Sequence, residues 1–377
     1  MDKKIQMVDL HGQYLKIKPE VDRGIQEVID TCAFINGPQV KEFAEKLKEY
    51  SGAKHVITCA NGTDALQIAL MALDLKPGDE VIVPAFTYVA SAEVIGLLGL
   101  TPVMVDVDPE TFNVTAGNIK NAISPRTRAI IPVHLFGQSC DMEPIMKLAK
   151  ENSLYVIEDN AQAIGSVYTF SDGTKRHTGT IGTIGCTSFF PSKNLGCYGD
   201  GGAIFTNDDT LAEKLHMIAN HGQKIKYHHS VIGCNSRLDT IQAVVLNAKL
   251  PHLDEYCAAR KAAADYYTEH LKNVKGILVP GELPASTHVY HQYTLRVLDG
   301  RRDELKEFLA SKGIPAMIYY PLPLQRQEAF RHITRAAESL GISQQLADSV
   351  LSLPIHTELT HDQQDIIIAA VKEFFNM

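Results

Sequence analysis

The chain has 377 residues, with 36 Lys+Arg against 44 Asp+Glu, 45% hydrophobic residues and no Trp. That length suits a large α/β unit with a smaller companion and buries a sizeable core without cross-links, while the composition sets aside disordered and fibrous classes. The net charge of −8 argues against a nucleic-acid partner, and no apolar run reaches the roughly 20 residues of a membrane span. The first twenty residues contain no apolar stretch of signal-peptide type. Seven cysteines, an odd number with no CxxC pair, read as scattered thiols of a reducing cytoplasm rather than a disulfide framework or a zinc site.

In chain order, a helical N-terminus includes residues 37–52, closed by Gly52. Five Val- and Ile-rich runs then follow at residues 54–60, 79–85, 101–107, 128–135 and 154–160. They start about 25 residues apart and alternate with helical stretches, as strand–helix units of a mostly parallel sheet do. Continuous rather than alternating apolarity implies strands covered on both faces. Residues 186–190 and 202–206 read as a hairpin around a glycine-rich turn. From about residue 246 the pattern becomes a long helix (254–273), a strand (291–297), a helix (301–313), the segment 314–324 and a terminal helix (361–376). The expected architecture is a large α/β domain over 1–245, with N-terminal helices, and a smaller α+β domain over 246–377.

Ligands of such sheets bind beyond the carboxyl ends of the strands. Asn61-Gly62-Thr63-Asp64 opens a helix there, either as an ordinary cap or as a phosphate site made of free N–H groups. Phe86-Thr87-Tyr88 offers an aromatic that is either core or a plate for a ring. Glu158 and Asp159 end a buried strand, which is costly unless a metal or a protonated ring nitrogen meets them. Lys193, among apolar residues and tight glycine turns, is either ion-paired or a partly buried amine fit for a Schiff base. Phosphate anchor, ring plate, strand-end acid and buried amine together match what pyridoxal phosphate requires.

With the motifs at 61–66, 83–90, 132–138, 158–163, 188–203 and 235–243, the sequence resembles the DegT-type sugar-nucleotide aminotransferases, fold-type I pyridoxal-phosphate enzymes. The resemblance implies a mixed seven-stranded sheet, pyridoxal 5′-phosphate as cofactor and no metal. It makes Lys193 the cofactor-linked lysine and Asp159 the partner of the ring nitrogen. Gln162 is then the partner of the phenolic oxygen and Tyr88 the stacking ring. Gly62, Thr63, Asp64 and Ser188 form the phosphate cradle, Thr63 and Asp64 through backbone N–H. Asn235 reaches the phosphate of a neighbouring subunit, so a homodimer with composite sites is expected. Related dehydratases carry His at the position of Lys193, so the lysine points to transamination. The implied reaction moves an amino group, commonly from glutamate, to a keto group of a nucleotide-linked sugar for lipopolysaccharide or other glycan synthesis. Residues 221–242 and 318–327 resemble the branch acting on UDP-linked 3-keto N-acetylhexosamines or their uronic acids, with Arg237, His229 and Tyr320 (and, less directly, His221 and His228) as substrate contacts. A dTDP-linked 3- or 4-keto-6-deoxysugar is the alternative, and a non-catalytic regulator with the same fold is a third reading.

Overall fold

The computed structural model describes residues 4–336 and 340–376. Helix α1 (Leu10–Thr31) is capped by Asp9, whose side chain accepts from the Gly12 N–H at 2.8 Å. Helix α2 (Pro38–Ser51) starts on a proline and ends on left-handed Gly52, the two residues best suited to those positions. The chain then alternates: β1 (His55–Cys59), α3 (Gly62–Ala72), β2 (Glu80–Pro84), α4 (Ala90–Leu97), β3 (Thr101–Val105), α5 (Ala116–Ala122), β4 (Thr127–Ile130), α6 (Met142–Glu151) and β5 (Tyr155–Asp159). A small hairpin, β6 (Val167–Thr169) and β7 (Lys175–His177), precedes the pair β8 (Ile184–Ser188) and β9 (Gly202–Thr206). Helix α7 (Asp209–Ala219) leads to a second hairpin, β10 (Gln223–Ile225) and β11 (His228–His229), and then to α8 (Thr240–Lys249).

Beyond α9 (Leu253–Leu271) come β12 (Ile277–Leu278), β13 (Tyr293–Val297), α10 (Arg302–Ser311), β14 (Arg335–Ala336), α11 (Gly341–Ser349), β15 (Val350–Leu353) and α12 (His361–Asn376). Strands β12, β13 and β15 form an antiparallel sheet whose buried face meets α9, α10 and α12 through Tyr267, Leu295, Leu309 and Val371.

The large sheet runs β1-β9-β8-β5-β4-β2-β3-β14. The seven expected strands are present, and the two-residue β14 adds an eighth, parallel to β3. Its anchor is electrostatic: Arg335 and Arg126 both grip Glu80, which is fully buried at the start of β2. Strands β2, β8 and β9 are buried at every residue, so their side chains contribute on both faces. Each fully buried Val, Ile or Leu is worth about 1.5–3 kcal/mol, and this layer holds the largest apolar cluster of the chain. Leu324, Phe330, Leu346 and Val350 join that cluster although they follow residue 245, because the segment around β14 folds back over the large sheet.

Register places the functional ends together. β2, β4, β5 and β8 are parallel in sequence, and β1 is parallel to β8 through the intervening antiparallel β9. Cys59 and Ser188 both pair with Gly202, and Asp159 pairs with Cys186. The carboxyl ends of β1, β2, β5 and β8 therefore open on one rim. No helix among the described residues is long and apolar enough to cross a membrane.

Candidate active site

At that rim lies a cavity of about 650 Å³. Of the twelve residues expected as catalytic, cofactor or principal substrate contacts, nine line it: Gly62, Thr63, Asp64, Tyr88, Asp159, Gln162, Ser188, Lys193 and Tyr320.

The floor is built where β1 turns into α3. Asn61 caps the helix, its Oδ1 accepting from the Asp64 N–H at 2.8 Å. That corrects one expectation: the Asp64 N–H is spent on the cap, so the open cradle is narrower by one donor. The Asp64 carboxylate is likewise engaged, accepting from Ser236 Oγ at 2.6 Å. The N–H groups of Gly62 and Thr63 find no partner among the described residues, as the first turn of a helix dictates. A Cβ on Gly62 would sit 2.7 Å from Ser188 Cβ, so only glycine lets the helix start approach the end of β8. Two open N–H groups, the Ser188 hydroxyl and a positive helix end fit a phosphate.

The two acids at the end of β5 part company, because successive strand residues face opposite ways. Glu158 points into the core, fully buried, and accepts from the N–H groups of Gly179, Ile181 and Gly182 at 2.8, 2.7 and 2.6 Å. His134 Nε2 lies 2.9 Å from the same carboxylate. Because His134 Nδ1 accepts from the Cys140 N–H, the ring proton sits on Nε2 and the imidazole meets Glu158 as a neutral donor. Asp159 faces the cavity. Its carboxylate accepts from Ser91 Oγ at 2.7 Å and from the Ala161 N–H at 3.1 Å, which fixes its orientation and leaves acceptor sites for a cationic ring N–H. No group of side chains among the described residues is arranged to hold a metal.

Gln162 Oε1 accepts from the Phe136 N–H at 2.7 Å, which fixes the amide and turns its NH2 toward the cavity. There Nε2 donates to the Tyr320 hydroxyl at 3.1 Å. Two residues expected in separate roles thus form one contact. Tyr88, 56% exposed, stands at the mouth with its ring 6.0 Å from that of Tyr320.

Lys193 Nζ makes no hydrogen bond or ion pair among the described residues. Burial lowers its pKa to about 8, against the opposing pull of the Asp159 carboxylate. At neutral pH roughly a tenth of it is free amine, against under a thousandth for an ordinary lysine. The loop bearing it is pinned from α8: Lys249 Nζ donates to the Gly196 carbonyl at 2.7 Å, and Gln242 Oε1 accepts from the Tyr198 N–H at 2.8 Å. An unpartnered amine, open N–H groups and a cavity-facing acid are the handles a pyridoxal phosphate needs, so the residues fit that group.

Asn235, Arg237 and His229 do not reach this cavity. Asn235 is exposed, Arg237 lines a separate groove between α2 and α7, and His229 sits on the exposed β10–β11 hairpin with Nδ1 2.8 Å from the His221 carbonyl. His228 is exposed on the same hairpin. Conversely, Ser91, His291 and Gln292 belong to the site or its walls without any signal in the sequence. Ser91 is 68 positions from its partner Asp159, and His291 opens a stretch that reads simply as a strand.

The DegT/DnrJ/EryC1/StrS aminotransferase family matches residues 15–372. Among curated relatives, a "pleiotropic regulatory protein" of Geobacillus stearothermophilus is 47% identical, covering 98% of both chains. The UDP-2-acetamido-2-deoxy-3-oxo-D-glucuronate aminotransferase of Pseudomonas aeruginosa is 46% identical over 97% of this chain and 99% of its own. The UDP-N-acetyl-3-dehydro-alpha-D-glucosamine 3-aminotransferase of Acidithiobacillus ferrooxidans is 46% identical over 95% of each. A crystal structure of a DegT/DnrJ/EryC1/StrS aminotransferase from Brucella abortus superposes with a TM-score of 0.94 at 42% identity, covering 99% of this chain and 100% of that one.

Proposed function

Because this chain belongs to the DegT/DnrJ/EryC1/StrS aminotransferase family, we propose that it moves an amino group from glutamate to the 3-keto carbon of a UDP-linked N-acetylhexosamine or its uronic acid. It is an aminotransferase, and pyridoxal phosphate is its cofactor. The cofactor when bound supplies an electron sink for the carbon that gains or loses nitrogen. The observation that carries the substrate is the likeness, over nearly the full chain, to two aminotransferases of UDP-linked 3-oxo sugars.

The chain's own residues divide the work. The Gly62 and Thr63 N–H groups and Ser188 would hold the phosphate, Tyr88 would offer its ring to the cofactor's, and Gln162 would present its amide N–H to the ring's oxygen. Asp159, steadied by Ser91, holds a proton on the ring nitrogen. Lys193 Nζ carries a proton to and from the reacting carbon, a task its pKa of about 8 suits. Tyr320, tied to Gln162, faces the sugar.

The working unit is a cytoplasmic homodimer. The cavity's described lining carries one cation, Lys193, yet a nucleotide diphosphate and a donor with two carboxylates must bind. Arg237 and Asn235, which lie outside their own cavity, supply what the neighbouring site lacks. Phe34, Ile35, Ile225, Tyr227 and Ile232 are exposed apolar residues that a second copy would cover. The feeding pathway is surface-glycan or lipopolysaccharide synthesis.

The test is amino transfer from isotopically labelled glutamate to a panel of UDP- and dTDP-ketosugars, read by mass. Labelled nitrogen in the UDP-3-keto sugars supports the reading. Transfer only to a dTDP-ketosugar would replace the substrate, and a cofactor-loaded protein that transfers to none would favour the regulatory role that one relative's name describes.

A further inference from the structure

His291 is the one histidine, and Lys193 the one lysine, among the described residues lining the cavity. His291 is 6% exposed, and its Nδ1 is buried with no hydrogen-bond partner. An orphaned nitrogen in a well-packed wall is costly unless another state of the protein uses it. The Lys193 amine, equally without a partner, opens on the same space.

The backbone that carries the imidazole is tied down. The fully buried Arg260 donates from Nη1 to the carbonyls of Tyr290, His291 and Ile355 at 3.2, 3.3 and 3.1 Å. The Val289 N–H donates to the Gly137 carbonyl at 2.9 Å, and the Gln292 N–H to that of Phe136 at 3.3 Å. The strap carrying His291 is thereby tied to the loop that also fixes Gln162. Burial first, then the charges of Lys193 and Arg260, push the His291 pKa well below its ordinary value, so the ring is neutral and keeps one lone pair. The charged or titratable groups facing this pair are Asp159 toward Lys193 and Arg260 toward His291, with the carboxylates of Asp64 and Asp200 and the phenols of Tyr88, Tyr319 and Tyr320 elsewhere on the cavity wall.

We propose that His291 is a positioning residue whose Nδ1 accepts a hydrogen bond from the Lys193 amine whenever that amine is free of the cofactor, holding it for the proton transfer at the reacting carbon. The proposal rests on the reading of Lys193 as the cofactor-linked lysine. A neutral acceptor favours the ammonium over the amine, so the histidine keeps the lysine from losing its proton too readily in so dry a site.

The experiment follows capture of pyridoxal phosphate by apoprotein, as the growth of visible absorbance, across pH. Only unprotonated Lys193 reacts, so the midpoint of the rate profile reports its pKa. Wild type should show a midpoint about one pH unit above the value of about 8 that burial and Asp159 alone set. His291→Leu should lower it by about one pH unit, and His291→Asn, whose amide oxygen replaces the acceptor, should restore it. An unchanged midpoint in His291→Leu, or an Asn variant no different from Leu, overturns the proposal while leaving the role of Lys193 intact. Wild-type protein that captures no cofactor overturns the reading of Lys193 itself. Should the Leu variant fail to fold, nitrogen NMR of wild type decides. The Nδ1 resonance of His291 should move toward the hydrogen-bonded range when Lys193 is released by conversion of the cofactor to its amine form, and a resonance that stays put overturns the proposal.

Discussion

Gly62→Ala probes the phosphate cradle with a single methyl group. Its Cβ would lie 2.7 Å from Ser188 Cβ and 3.3 Å from Ser188 Cα, both close to the backbone of β8 and unable to swing aside. Carbon pairs rest at about 3.5–4.0 Å, so the start of α3 must retreat by about 1 Å. Hydrogen bonds of about 2.9 Å from the Gly62 and Thr63 N–H groups would then open beyond their useful range. Each such bond to a charged group is worth about 1.5–3 kcal/mol, so losing most of both costs about 2–4 kcal/mol. Affinity for pyridoxamine phosphate, which forms no covalent link and therefore reads the cradle alone, should fall roughly 30- to 1000-fold by fluorescence titration. Far-UV circular dichroism should be unchanged, since alanine favours helix by up to about 1 kcal/mol. A folded Gly62→Ala protein that binds pyridoxamine phosphate within threefold of wild type, on the order of 0.6 kcal/mol, would refute the reasoning.

Asp159→Asn replaces the acid facing the ring nitrogen with a neutral amide, and kcat should fall by at least roughly 100-fold with the cofactor still loaded, as steady-state kinetics and absorbance will show. Glu158→Leu strands three backbone N–H groups and the His134 N–H in the core. It should cost about 4 kcal/mol and lower the melting temperature by about 5 °C, with Glu158→Gln in between. Lys249 is 1% exposed, and burial holds its pKa at about 8 against an ordinary 10.5. Between those values the unfolded chain carries a proton that the folded chain lacks, so stability rises with pH across that window. Lys249→Met lacks this contribution, and the wild-type melting temperature should gain on the variant's from pH 8 to 10.5 in paired thermal scans.

The strands of the large sheet were readable because burial on both faces demands unbroken Val and Ile, and the rim followed from where those runs stop. β14 was not: Arg335 and Ala336 carry no strand pattern, and the strand exists because Arg335 finds Glu80, 255 positions away. Asp159 was legible as an acid on a buried strand, but its separation from Glu158 required the geometry of the strand ends. The pairing of Gln162 with Tyr320 spans 158 positions, and Ser91 and His291 enter the site through contacts that leave no local trace. Asp64 shows the opposite hazard, since the cap that marked the helix start also consumed one of its donors.

The account turns on Lys193, and borohydride reduction of the pyridoxal-phosphate-loaded protein followed by peptide mapping tests it most directly. The phosphopyridoxyl mass should appear on the peptide bearing Lys193 and vanish in Lys193→Ala. The mass on the peptide bearing Lys249, or on none, would contradict it.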